Sequence, residues 1–317
     1  MAHDHHLHHD HRNDHHRHDH HGHSHAPARF GIAFAIATAL NLALVIAQVV
    51  AGLAANSMAL LADAGHNLGD CLGLVLAWGA HVLAQRAPTV RFTYGYRSAS
   101  ILSALVNAVM LLLVTGAIVA EAIRRLGDPG AVGGLTVIIV ALAGIAVNGI
   151  SALLLMAGHK DDLNIRGAFL HLAADAGVSA GVVVAGSAIL ATGWSVIDPI
   201  ASLAVSAVIL WGSWGLLRES FRLSMDAVPS GIDPEDVRAF LAALPGVART
   251  HDLHIWAMST TETALTCHLV MPAGHPGDAF LAEVCHALAQ RFAITHATFQ
   301  IELGDAAVCR LEPEHVV

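Results

Sequence analysis

Charge is scarce in this chain. Only 13% of its 317 residues are Asp, Glu, Lys or Arg, while 55% are hydrophobic and the mean hydropathy is +0.59. A chain so poor in charge cannot clothe an ordinary soluble surface, which makes it an integral membrane protein. Paired cysteines are missing too: Cys71, Cys267, Cys285 and Cys309 show no CxxC spacing, which argues against a disulfide framework. The residues ahead of the first apolar run are His- and Asp-rich rather than basic and then briefly apolar, so no cleavable signal is expected. The formal net charge of −9 counts 24 histidines as neutral, so the true charge changes steeply near neutral pH. It identifies no partner, and no nucleic-acid partner is expected.

Long apolar runs, by contrast, are abundant. Crossing a hydrocarbon core takes roughly 20 apolar residues, and six stretches qualify: about 30–54, 58–84, 100–123, 133–157, 167–192 and 196–217. Basic residues give the orientation. With the N-terminus in the cytosol, Arg29, Arg86, Arg91, Arg97, Lys160, Arg166, Arg218 and Arg222 lie inside, leaving mainly Arg124 and Arg125 outside. Both termini then face the cytosol, with the chain crossing a cell (inner) membrane several times and its spans in contact with lipid.

Two of the spans carry the same polar interruption, His66-x-x-x-Asp70 and His171-x-x-x-Asp175. Residues four apart share one helix face, so each span presents one imidazole and one carboxylate to the same neighbour. Two such helices facing each other supply two nitrogens and two oxygens, a donor set suited to tetrahedral Zn²⁺ with no thiolate to hold it irreversibly. An intramembrane carboxylate costs about 2.5–3.5 kcal/mol on insertion scales, so these groups need a reason to be there. Asp63 shares the stripe of His66 and Asp70 and is expected to orient a ligand or carry a proton. The motif falls in the middle span of each three-span half, as an inverted repeat around a central site would place it. Hydrogen-bonded His–Asp clasps between helices are the bland reading, which two identical spacings disfavour.

Elsewhere the polar signals are weaker. Residues 1–27 form a His-rich cytosolic tail, with thirteen histidines among residues 1–25 broken by Asp4, Asp10, Asp14 and Asp19. It is expected to be disordered, and its interrupted pattern favours a native metal-catching tail over an expression tag. Asn41 and Gln48 on the first span read as helix-to-helix glue. Tyr94-Gly95-Tyr96-Arg97 reads as a membrane-interface segment, and His159 to Asn164 as a water-exposed link. Asp198-Pro199 opens the sixth span, with the carboxylate near the positive end of that helix.

The transmembrane domain is expected over 28–222. After Pro229 the pattern becomes soluble, and residues 223–310 read as a C-terminal α+β domain, with a tail at 311–317. A helix from Ile232 to about Leu244, strands near 247–258 and 261–271, a helix over 278–292 and a strand over 295–303 give the order α-β-β-α-β.

The chain resembles the cation diffusion facilitator family of zinc-exporting membrane transporters. The run LLADAGHNLGD from Leu60 to Asp70 is similar to the family's second-helix motif, and NIRGAFLHLAAD from Asn164 to Asp175 to its fifth-helix motif; Asp198-Pro199 and His251-Asp252-Leu253-His254-Ile255-Trp256 also match. The resemblance covers about residues 28 to 305. It implies a homodimer that exports divalent metal from the cytosol against protons, with a metallochaperone-like cytosolic domain. Histidine in both motifs resembles the zinc-preferring branch, which also moves cadmium. The stretch Arg97-Ser98-Ala99-Ser100 departs from the family by lacking its Arg-x-Glu.

The resemblance further implies regulatory zinc in the cytosolic domain at His251, His268, His296, Glu302 and Cys309. His254 and Trp256 read as packing residues, and Cys267 should point to the opposite sheet face from His268. A proton-coupled Zn²⁺ antiporter is therefore expected, with Zn²⁺ as cargo and regulatory ligand. The alternatives are a membrane-embedded metal sensor and an intramembrane metalloenzyme, which a fourth protein ligand on the metal would obstruct.

Overall fold

The apolar runs become six long helices: α1 (Ala28–Ala54), α2 (Met58–Ala84), α3 (Ala99–Gly127), α4 (Gly134–Met156), α5 (Leu163–Thr192) and α6 (Ile197–Ser224). The structure is a computed structural model and describes residues 28–156, 163–304, 309 and 311, with backbone only at 28–38, 154–156 and 163–170. The His-rich tail and most of the link after α4 lie outside the described residues. Helices α2 to α6 are long and apolar enough to cross a membrane, and α1 carries a further described apolar stretch over Ala39–Ala54. Large apolar side chains such as Val50, Trp78, Leu113 and Trp211 are exposed on the outside of the bundle. This is the surface that a bilayer would cover.

Inside, small residues bring the helices close. Ala59, Leu60 and Ala62 of α2 pack with Leu111 of α3, Val137 and Ala141 of α4, Val182 of α5 and Val205 and Ile209 of α6. Gly69 receives Leu111, since a Cβ there would stand 2.9 Å from its Cδ1. Backbones can approach this closely only where side chains are small.

The start of α2 is fixed from three sides. Asn56, at φ 54°, turns the chain out of α1, and Arg125 of α3 donates from Nη1 to the Asn56 carbonyl at 3.0 Å and to its side-chain oxygen at 2.7 Å. Ser57 caps α2 by accepting from the Leu60 amide at 3.2 Å. Asp198 lies in the first turn of α6, as the sequence predicts, and its carboxylate also reaches the neighbouring helix, where it accepts from Ser57 Oγ and the Met58 amide, both at 2.5 Å. It serves the positive end of α2, because the orphan amides of that neighbouring helix are within reach in the fold and invisible in the sequence.

The C-terminal domain has the expected α-β-β-α-β order: α7 (Pro234–Ala242), β1 (Arg249–Ala257), β2 (Thr263–Val270), α8 (Asp278–Phe292) and β3 (Ile294–Glu302). The sheet order is β1-β2-β3, with β2 antiparallel to β1 and parallel to β3 through the α8 crossover. Val237 and Leu241 of α7, Ile255, Leu265, Cys267 and Leu269 of the sheet, and Val284 and Leu288 of α8 form its core. Cys267 faces inward, as alternation requires, and burial pushes its thiol up to about 12.

The loop before α3 corrects the interface reading. Arg97 forms an ion pair with Glu262 in the β1–β2 turn, Ser98 Oγ donates to the Met258 carbonyl at 3.3 Å, and the Thr260 amide donates to Ser100 Oγ at 3.1 Å. Tyr94 stacks edge-on against His296 at 5.6 Å. These residues bind the C-terminal domain to the bundle. Cross-domain partners leave no local pattern in sequence.

Candidate metal centre

A 3.6-residue period puts His66 and Asp70 on one face of α2, and His171 and Asp175 on one face of α5. In the fold the two faces meet. His66 Nε2 lies 3.1 Å from Asp175 Oδ1 and 3.8 Å from Asp70 Oδ2. His171 Nε2 lies 3.3 Å from Asp70 Oδ2 and 3.6 Å from Asp175 Oδ2. The cross-pairing of residue 66 with 175 and of 70 with 171 is the signature of antiparallel helices, as the odd number of crossings from α2 to α5 requires.

His66, Asp70 and Asp175 converge at a scale suited to one ion, and His171 stands beside the two carboxylates without falling inside that group. Ligand atoms of His66, Asp70 and Asp175 all lie within 4.8 Å of one another, and the imidazole rings of His66 and His171 are 6.0 Å apart and nearly perpendicular. Asp175 is buried, while the His171 side chain is 48% exposed, so the cluster is open on the His171 side. Asp70 Oδ2 is buried without a hydrogen-bond partner. A carboxylate oxygen that faces two imidazoles and has no hydrogen-bond donor is a donor atom suited to a cation.

Asp63 does not join this cluster. Its Oδ2 accepts from Gln48 Nε2 of α1 at 2.6 Å and from Ser179 Oγ of α5 at 3.1 Å, one turn away from His66. Further along α2 from Asp70, a cavity of about 580 Å³ opens between the bundle and the β1–β2 turn, lined among others by Gly73, Ala77 and His81 of α2, Asn107 of α3 and Glu262. Positions 66, 70, 73, 77 and 81 form one stripe of α2, so the face that carries the cluster continues into the cavity. Asn107, which lines the cavity, packs on Gly73, where a Cβ would stand 2.8 Å from its Nδ2.

A second cluster occupies the outer part of the C-terminal sheet. His251 and His268 are direct partners across β1 and β2, with rings 4.8 Å apart. Glu302 bridges them, with Oε2 2.9 Å from His251 Nε2 and Oε1 3.0 Å from His268 Nδ1, and Cys309 Sγ lies 3.6 Å from His268 Nδ1. Although partial burial raises the Glu302 carboxyl, its hydrogen bonds to His251, Cys309 and Gln300 outweigh that and hold it below the usual range. Of the five residues that the family resemblance assigns here, four come together. The structure places the fifth, His296, against Tyr94 instead.

Asp252 is the residue that strand alternation hides. It should point away from His251, yet a register shift between His251 and His254, with Asp252 at φ 51°, turns its carboxylate onto the same side. Its Oδ2 then lies 3.3 Å from His268 Nε2 and its Oδ1 2.9 Å from His254 Nε2. His254 is therefore half-exposed and bonded to Asp252 rather than a packing residue. Only the pair of histidines three apart hinted at a polar function there.

Residues 34–223 match the family described as the cation efflux transmembrane domain, and residues 229–303 match the cation efflux protein cytoplasmic domain. The chain is 38% identical over 253 residues to the zinc transporter ZitB of Pectobacterium atrosepticum, covering 79% of each chain. It is 37% identical to the zinc transporter ZitB of Escherichia coli, covering 79% of this chain and 80% of that one. Against the cadmium, cobalt and zinc/H(+)-K(+) antiporter of Bacillus subtilis it is 34% identical, covering 79% and 82%.

Proposed function

Because the chain belongs to the cation efflux family of membrane transporters, we propose that it exports Zn²⁺, and with it Cd²⁺, from the cytosol in exchange for a monovalent cation, by alternating access around His66, Asp70, His171 and Asp175. The observation that carries this reading is the convergence of two imidazoles and two carboxylates from antiparallel helices, with atom separations of 3.1–3.8 Å. Two carboxylates balance the charge of one divalent cation, so the loaded site is neutral inside the membrane. The relatives named for zinc, and for cadmium, cobalt and zinc exchanged against H⁺ and K⁺, favour the same cargo and coupling.

Proton exchange follows from the ligand types. An imidazole binds metal only as the neutral ring and a carboxylate only as the anion, so protons compete for the same four groups. Free histidine titrates near 6.5, which makes that competition effective at physiological pH. In the orientation given by the basic residues, the cavity below Asn107 opens to the cytosol and supplies the inward route. The matching cytoplasmic dimerisation domain supports a homodimer. Zinc flux into proteoliposomes under an imposed pH gradient tests the proposal. Gradient-driven flux is the expected result, and tight zinc binding without any flux would leave a membrane-bound sensor instead.

His251, His268, Glu302 and Cys309, with Asp252 behind His268, form the regulatory zinc site in this reading. Carboxylate bridges of 2.9 and 3.0 Å hold both rings ready for a metal. His268→Ala removes the member that touches Glu302, Cys309 and Asp252. It should weaken zinc binding to the cytosolic site by at least about tenfold, while zinc-saturated flux falls less than threefold. Calorimetric titration of the full-length protein checks the first expectation; unchanged affinity there would place the regulatory ion elsewhere.

A further inference from the structure

Two polar side chains of α4 serve no contact within the bundle. Asn148 is fully buried with both amide atoms unpartnered among the described residues, and Ser151 is fully buried with an unpartnered hydroxyl. The antiparallel packing of α4 on α5 fixes their level. A Cβ on Gly134 would stand 3.3 Å from the Leu190 amide nitrogen, and one on Gly144 would stand 2.9 Å from Ser179 Oγ. One turn further along both helices, the same pairing brings Asn148 level with Asp175, and the next turn brings Ser151 level with Leu172, beside His171. Gly144, Asn148 and Ser151 share one stripe of α4, and Asp175 and Ser179 one stripe of α5. All five are buried, so both stripes face into the bundle.

An unpartnered amide in a low-dielectric interior is costly, and an amide that glued helices together would show its partner. Asp175 does not serve as one, since its oxygens lie 3.1 Å from His66 Nε2 and 3.6 Å from His171 Nε2. We infer that Asn148 determines the cation specificity of the transport site: its amide oxygen is a fifth, uncharged donor to the cargo ion, which admits Cd²⁺ and Co²⁺ beside Zn²⁺. Tetrahedral zinc is complete with four ligands. Cd²⁺ is larger and Co²⁺ readily takes five or six donors, so both gain from an oxygen that zinc does not need. Because the amide is neutral, two carboxylates still balance one divalent ion inside the membrane. Ser151, on the same stripe and toward the open His171 side, offers a hydroxyl oxygen to the ion as it enters or leaves. The inference rests on the reading of His66, Asp70, His171 and Asp175 as the transport site.

Flux into proteoliposomes holding the full-length protein gives half-saturating concentrations for Zn²⁺ and for Cd²⁺. Asn148→Leu nearly conserves the volume, removes the donor and leaves no room for a water in its place. It should raise the Cd²⁺-to-Zn²⁺ ratio of those concentrations threefold or more, by weakening Cd²⁺. Co²⁺ reports the coordination number directly, because its visible bands are stronger in a four-coordinate site than in a five-coordinate one. Subtracting the spectrum of Asp70→Ala removes the contribution of Co²⁺ bound elsewhere on the chain. The remaining band should intensify at least twofold in Asn148→Leu.

A ratio within threefold of the wild type overturns the inference, whether both cations are unaffected or both are weakened alike, since Asn148 would then only pack. A Co²⁺ band that intensifies less than twofold overturns it as well. Should Asn148→Leu fail to fold, Asn148→Cys puts a sulfur in place of the amide and must add a near-ultraviolet sulfur-to-cobalt charge-transfer band that the wild type lacks; without that band, residue 148 does not touch the ion and the inference falls. Failure of the tetrad reading shows separately, as zinc flux that survives Asp70→Ala.

Discussion

Asp175→Ala should abolish zinc flux and weaken zinc binding to the membrane site by at least about 100-fold. Asp175 touches both histidines, with Oδ1 3.1 Å from His66 Nε2 and Oδ2 3.6 Å from His171 Nε2, and it is the most buried member of the tetrad. On the proposed reading, its loss removes a ligand and half of the negative charge that balances the ion. One uncompensated charge at mid-membrane costs about 2.5–3.5 kcal/mol, and each 1.36 kcal/mol is a factor of ten. Charge alone therefore accounts for the hundredfold, before the lost coordination bond is counted.

Asp175→Glu separates the two contributions. It keeps the charge and displaces the oxygen by one methylene, so affinity should recover partly while turnover stays low, because a transport site must also release its ion. Flux in proteoliposomes and calorimetric zinc titration report the two effects independently, with thermal melting as the check on folding. A folded Asp175→Ala that moves zinc within twofold of wild type would remove the tetrad from the ion path.

Both His-x-x-x-Asp pairs were readable in the sequence because a helix turns repetition at i and i+4 into a shared face, and because intramembrane carboxylates are expensive enough to need a purpose. The six long helices and the α-β-β-α-β order followed from runs and alternation, which depend only on neighbours along the chain. Residues whose meaning depends on distant partners were not readable. Asp252 reaches His268 through a local break in strand register that alternation hides. Arg97 looked like a lipid-interface residue until Glu262, 165 positions later, supplied its counter-charge. His296 shares a strand with Glu302 but lies at the end that meets Tyr94. Gln48, read as glue between helices, does bind one helix to another, and what it holds is the carboxylate of Asp63.

Asp198→Ala should be the most destabilising change remote from either metal cluster. The carboxylate takes hydrogen bonds from Ser57 Oγ and the Met58 amide at 2.5 Å each and a longer one from the Ala59 amide at 3.4 Å, in surroundings where Ser57 and Asp198 are both almost completely buried. Truncation leaves those donors without an acceptor, at about 1–3 kcal/mol for each buried group that stays unsatisfied. It also removes a negative charge from the positive end of α2.

His66 lies eight residues from Met58, about 12 Å along the helix at 1.5 Å per residue, so this anchor sets the position of the rod that carries half of the tetrad. Asp198→Ala should therefore lower the melting temperature by several degrees and slow flux several-fold. Zinc affinity should change much less, because all four ligands remain. Asp198→Asn retains one acceptor oxygen and should fall between the variant and the wild type. Thermal melting of the purified protein decides it: an Asp198→Ala chain that melts with the wild type would mean that water takes over the α2 cap, and the tie between α6 and α2 would then contribute nothing to holding the bundle.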